Sequence, residues 1–86
     1  MKLWLLVPLP DVIDRGNDNP WEPWYDKVFN FVVRASTGEQ ARALAADQAG
    51  MEEYCRDGNP WLNPSYTHCE ELGASGAAGV IIRDLR

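Results

Sequence analysis

Residues 27–39 read Lys-Val-Phe-Asn-Phe-Val-Val-Arg-Ala-Ser-Thr-Gly-Glu, and the change of period inside this stretch decides the fold. Phe29, Phe31 and Val33 fall on one side and Asn30, Val32 and Arg34 on the other, which predicts a strand over Lys27 to Ala35. Ser36-Thr37-Gly38-Glu39 then matches a capping box, with the Ser36 hydroxyl accepting from the Glu39 amide and the Glu39 carboxylate reaching back. A helix is therefore expected over Glu39 to Ala49, with Ala41, Leu44, Ala45 and Gln48 on one face and Gly50 as a left-handed terminator. That face is mostly alanine, so the helix should lie close against a sheet.

Working outward, Lys2 to Leu9 is rich in Leu, Val and Trp and is closed by Pro8 and Pro10, which suits a first strand. Asp11 to Asp26 is a 16-residue stretch of Asp, Asn and Pro punctuation, longer than the ~4–6 residues usual for a connection. Residues 51–64 read as an irregular connection with a helical turn near Tyr54. Ser65 to Leu72 and Gly79 to Leu85 alternate like strands, and the glycine-containing segment 73–78 reads as a hairpin connection. The expectation is one small α+β domain over residues 1–86. Its order is β-β-α-β-β, with a mainly antiparallel four-stranded sheet and one helix on one face.

Composition limits the function classes. A hydrophobic fraction of 45% and a charged fraction of 24% are ordinary globular usage and argue against disorder. The apolar run Leu3 to Val7 falls far short of the ~20 residues that span a bilayer, and it lacks signal-peptide length and a cleavage site. A cytoplasmic location without membrane contact is the expectation, and in a reducing compartment Cys55 and Cys69 are expected as free thiols. The formal charge of −5, with eight scattered Lys and Arg, opposes direct binding to nucleic acid.

Few residues suggest catalysis or metal binding. Asp14, Asn17, Asp18 and Asn19 supply oxygens without the spacing of a calcium loop, and turn formation explains them. Cys55, His68 and Cys69 lack a fourth zinc ligand, and adjacent strand residues point to opposite faces. Cys55 with His68 stays open as a nucleophilic pair, but no full constellation emerges, so neither enzyme activity nor a cofactor or metal is expected.

The conspicuous feature is the aromatic acidic loop. Trp21, Trp24 and Tyr25 are interleaved with Glu22 and Asp26, and two readings compete: a recognition surface, or a lid folded over a core too small to close itself. Asn59-Pro60-Trp61 repeats the chemistry of Asn19-Pro20-Trp21, so Trp61 and Arg83 join the candidate binding residues.

The strings D-N-P-W-E-P-W-Y-D-K at 18–27, F-V-V-R-A at 31–35, A-R-A-L-A-A at 41–46, W-L-N-P-S-Y-T-H-C-E-E-L at 61–72 and G-V-I-I-R-D at 79–84 resemble small accessory proteins of bacteriophages and prophages. That group has no assigned activity, so the resemblance implies a context, the cytoplasm of a host cell, and carries over no functional residue. By analogy it implies an inhibitor of a host or antiviral-defence protein. Asp18, Glu22, Asp26, Glu52, Glu53, Asp57, Glu70 and Glu71 would then meet a basic surface. One alternative is a sponge that stacks a small nucleotide-like signal on Trp21, Trp24 or Trp61, with Arg34, Lys27 or Arg83 on phosphate. Another is a structural or virion-associated protein that forms homodimers or larger assemblies.

Overall fold

The computed structural model describes residues 1–14, 19–22, 25–74 and 78–85. Strands β1 (Lys2–Pro8), β2 (Val28–Ala35), β3 (Thr67–Ala74) and β4 (Gly79–Leu85) and helix α1 (Gly38–Asp47) form the α+β architecture expected. Short 3-10 turns lie at Pro10–Asp14, Met51–Tyr54 and Pro60–Leu62. The first sits inside the long loop and drives Val12 into the core, so that part of the loop is built structure.

The sheet is antiparallel throughout, in the order β3-β1-β2-β4. β2 and β3 both run against β1, so they are parallel to each other and are linked through α1 around an inserted β1, a split β-α-β arrangement. The hairpin expected at 73–78 does not form. Ala74 pairs with Lys2 and Gly79 with Arg34, so β3 and β4 lie at opposite edges with both central strands between them. The cause lies in β1, whose apolar residues on both sides suit a central strand, while the exposed His68, Glu70 and Glu71 of β3 suit an edge.

Helix and strand boundaries shift by small amounts with clear reasons. Thr37, not Ser36, caps α1: its Oγ1 accepts from the Gln40 amide at 3.1 Å, and Gln40 Oε1 accepts from the Ser36 amide at 2.6 Å. The arrangement resembles a capping box moved on by one residue, except that Gln40 reaches past the cap to the Ser36 amide instead of that of Thr37. The helix ends at Asp47, and Gly50, at φ −87°, is not a left-handed terminator. Glycine is needed there for a different reason, because a Cβ would collide with the Asp26 carbonyl oxygen.

On the side of the sheet that carries α1, Leu6 of β1 and Phe31, Val33 and Ala35 of β2 are fully buried. They meet Ala41 and Ala45 of the helix in one core. Between them stand Trp21 and Trp61, exposed by 1% and 0%, with ring centroids 5.6 Å apart and planes at 84°. Phe31 meets Trp61 edge-on at 4.8 Å and 89°. Each tryptophan hides on the order of 200 Å² of surface, which fills the space that an alanine-faced helix leaves. The opposite side of the sheet carries Leu3, Leu5, Val7 and Val32, half-buried and belonging neither to the core nor to the apolar residues packed against it.

Candidate functional site

Three Asn-Pro pairs set up the end of the molecule where the candidate residues gather. In each, the asparagine Oδ1 accepts from the amide two residues on: Asn19 from Trp21 at 2.9 Å, Asn59 from Trp61 at 3.1 Å and Asn63 from Ser65 at 2.9 Å. The side chain imitates a backbone turn and the proline fixes φ, so the following residue leaves in a defined direction. Two of these turns deliver a tryptophan inward. The repeated Asn-Pro-Trp motif therefore builds the core, and the recognition surface expected of Trp21 and Trp61 is not available from them. Trp24 lies outside the described residues.

Beneath the rings sits Glu52, fully buried, with Oε1 accepting from the Val28 amide at 3.0 Å and Oε2 from Trp61 Nε1 at 2.7 Å. Trp21 Nε1 donates to the Val28 carbonyl at 2.6 Å, so both peptide groups of Val28 are tied into this assembly. Arg42 of α1 closes it from the other side, donating to the Trp61 carbonyl at 3.0 Å and to Thr67 Oγ1 and the Thr67 carbonyl at 2.8 and 3.0 Å.

Above the assembly, two depressions open side by side and share Met51 and Tyr54 as walls. The larger, about 370 Å³, lies between the segment around Asn19 and Glu22 and the turn at Met51–Tyr54, with Lys27, Cys55, Arg56 and Tyr66 also lining it. The smaller, about 270 Å³, takes in Asp26, Glu53 and Arg83. Tyr25 and Tyr54 are 69% and 74% exposed and Met51 53%, three of the largest outward apolar surfaces on the described chain. Asp26 holds φ at 56°, a left-handed conformation that aspartate tolerates, and its carbonyl accepts from the Met51 amide at 2.7 Å. That bond fixes the end of the aromatic loop against the 51–54 turn.

Of the candidates expected from sequence, Glu22, Asp26 and Arg83 line this double depression, and Tyr25 is next to Asp26. Arg83 is anchored by a 2.6 Å bond from Nε to the Gln48 carbonyl just past the end of α1. Lys27, expected as a phosphate-holding cation, and Tyr66, expected as a polar group of a cleft with the tryptophans, also line it, whereas Met51 and Tyr54 went unnoticed because they share no motif with the other segments. The one usable signal was the Met-Glu-Glu-Tyr turn, which places two large apolar side chains beside carboxylates in a connection.

Titration adds one detail. The Tyr66 hydroxyl donates to Asp57 Oδ2 at 2.6 Å; that bond, burial and the nearby Cys55 thiol push the phenol up to about 12, so it stays protonated at neutral pH. Cys55 packs against the core, whereas His68 is exposed on the outer side of β3, so the sheet separates them. Cys69 faces Gly38, and burial pushes its thiol up despite the opposing charge of Arg42. Both cysteines are free thiols, and among the described residues no three His, Cys, Asp or Glu side chains converge as metal ligands do. No described helix is long and apolar enough to cross a membrane.

No protein family, curated protein or solved structure matches the chain.

Proposed function

We propose that the protein is a non-enzymatic binding module that engages a partner protein through the Tyr25, Met51 and Tyr54 surface and its carboxylate rim. The observation that carries this reading is that exposed Met51 and Tyr54 wall both adjoining depressions, with exposed Tyr25 next in sequence to Asp26 of the smaller one. Tyrosine and methionine are enriched at interface centres because they offer large contact area with adaptable polar or soft atoms. Glu22, Asp26, Glu52 and Glu53 line the two depressions against Lys27, Arg56 and Arg83, and the whole chain carries −5, which favours a partner with a basic surface. The resemblance to phage accessory proteins supports a host or antiviral-defence protein as that partner, with inhibition by occlusion.

Affinity capture from host lysate tests the reading, comparing the native chain with Tyr54→Ala and Met51→Ala. Both positions are exposed, so folding should change by no more than ~0.5 kcal/mol. Loss of an anchor should weaken capture at least ~10-fold, and capture should decline as salt is raised. Capture unchanged in both variants would refute the surface assignment.

A second reading is favoured by the position of Lys27 and Arg56 on a cavity near the ~300 Å³ lower bound for ligand sites. A small nucleotide-like anion would find cations there, and Tyr54 offers a ring, since Trp21 and Trp61 are covered. Fluorescence titration with cyclic dinucleotides and adenosine diphosphate ribose tests it, and a flat response across the panel would remove it.

A further inference from the structure

We infer that the outer face of the sheet, on the side away from α1, is the contact between two copies of this chain. Leu3, Leu5 and Val7 of β1 and Val32 of β2 form its centre. They are half-buried, they adjoin one another in the register Leu5↔Val32 and Leu3↔Arg34, and none packs against the core. Antiparallel sheets that face water on one side normally alternate to polar residues there, and β1 does not. The flanks are polar: His68 and Glu70 stand opposite Val7 and Leu5 on β3, and Arg34 stands opposite Leu3 on β2. An apolar centre on two middle strands with a polar rim is the anatomy of an interface.

The charges on the rim select a second copy as the occupant. Glu70 lies on the β3 side of β1 and Arg34 on the β2 side, so the two signs flank the apolar stripe asymmetrically. A two-fold axis parallel to the strands lays β1 of one copy over β2 of the other. Leu5 then faces Val32 of the second copy, and each Glu70 passes to the flank that carries Arg34, avoiding the Glu70 to Glu70 contact that an axis across the strands would make. Sheets stack in this manner ~10 Å apart.

The area sets the strength. Four strands ~4.8 Å apart and seven residues long, at ~3.4 Å each, give a face of about 450 Å² per copy, or about 900 Å² in total. That falls in the range of weak, reversible association rather than permanent dimers. With −5 on each copy, added salt screens the repulsion and should strengthen the dimer, opposite to its effect on a basic partner.

Sedimentation velocity from about 10 µM to about 1 mM tests this, because a weak dimer fills by mass action. The mass should rise from 9.7 kDa toward twice that value, more so at higher salt. Leu5→Lys and Val32→Lys should hold it at 9.7 kDa while Tyr54→Ala leaves it rising. In the native chain, concentration-dependent NMR shifts should centre on the methyls of Leu3, Leu5, Val7 and Val32, a readout that needs no variant to fold. A mass fixed at 9.7 kDa across the range, shifts centred on Met51 and Tyr54, or a dimer that survives both folded lysine variants would overturn the inference.

Discussion

Replacing Glu52 by glutamine keeps the side chain's size and changes one oxygen into an amide NH2. In the native chain both oxygens accept, one from the Val28 amide at 3.0 Å and one from Trp61 Nε1 at 2.7 Å, and the residue is fully buried. In Glu52→Gln one of those N–H groups faces another donor. A hydrogen bond to a charged group contributes ~1.5–3 kcal/mol, and a stranded buried donor costs ~1–3 kcal/mol more, so the variant should lose about 3–5 kcal/mol. Against a total of ~5–15 kcal/mol for a folded domain, that is a large fraction. Urea unfolding followed by tryptophan fluorescence and circular dichroism reads the change as a lower midpoint at an unchanged slope. Trp61→Phe supplies the decisive control, because it removes the indole donor and lets the new amide NH2 turn toward the vacated side. Glu52→Gln with Trp61→Phe should then be less destabilised than the sum of the two alone, by about 1–3 kcal/mol. A loss below ~1 kcal/mol for Glu52→Gln, or simple additivity, would refute the view that this carboxylate clamps the tryptophan core to β2.

Gly50→Ala should lose about 2–3 kcal/mol in the same assay, since its Cβ meets the Asp26 carbonyl, which is held in place by the Met51 amide. Arg42→Lys should lose about 2–3 kcal/mol, because an ammonium cannot reproduce the fork that reaches Trp61 and both acceptors of Thr67. Tyr66 is raised in the folded state, so its contribution is complete below its unfolded value near 10 and fades as pH climbs to about 12. Tyr66→Phe should therefore remove part of the loss of stability between those pH values, and the last phase of an ultraviolet tyrosinate titration with it.

How legible the fold was depended on range. The strand over 28–35 and the helix that follows were readable because their periods and their capping chemistry lie within a few residues of each other. The cap moved by one residue because the Thr37 hydroxyl offers the Gln40 amide the same acceptor that Ser36 would offer Glu39, and only the backbone angle chooses between them. The hairpin between β3 and β4 failed because alternation shows that a segment is a strand and not which strand it pairs with. The difference between Leu3, Leu5 and Val7 on β1 and the exposed His68, Glu70 and Glu71 on β3 held the answer as a contrast of centre and edge. The tryptophans were ambiguous in sequence because a lid and a binding surface need the same side chains. The Glu52 acceptor decides for Trp61, and the Val28 carbonyl decides for Trp21. The double depression joins Glu22, Asp26 and Arg83 to Met51 and Tyr54 through tertiary contact alone.

The strand order bears on how the chain reaches this structure. No neighbouring strands are joined by a tight turn: β1 reaches β2 across residues 9–27, β2 reaches β4 across 36–78, and β1 must wait for β3 until residue 74 has been made. Only the ten-residue helix is local, and a helix of that length is marginal alone in water. Loop closure must precede nearly every stabilising contact, so folding should be slow for the size, on the order of milliseconds to seconds, and cooperative. A chain still emerging from the ribosome would hold its most apolar strand with one edge unpaired until β3 has emerged, which makes the period before that pairing the one most exposed to aggregation.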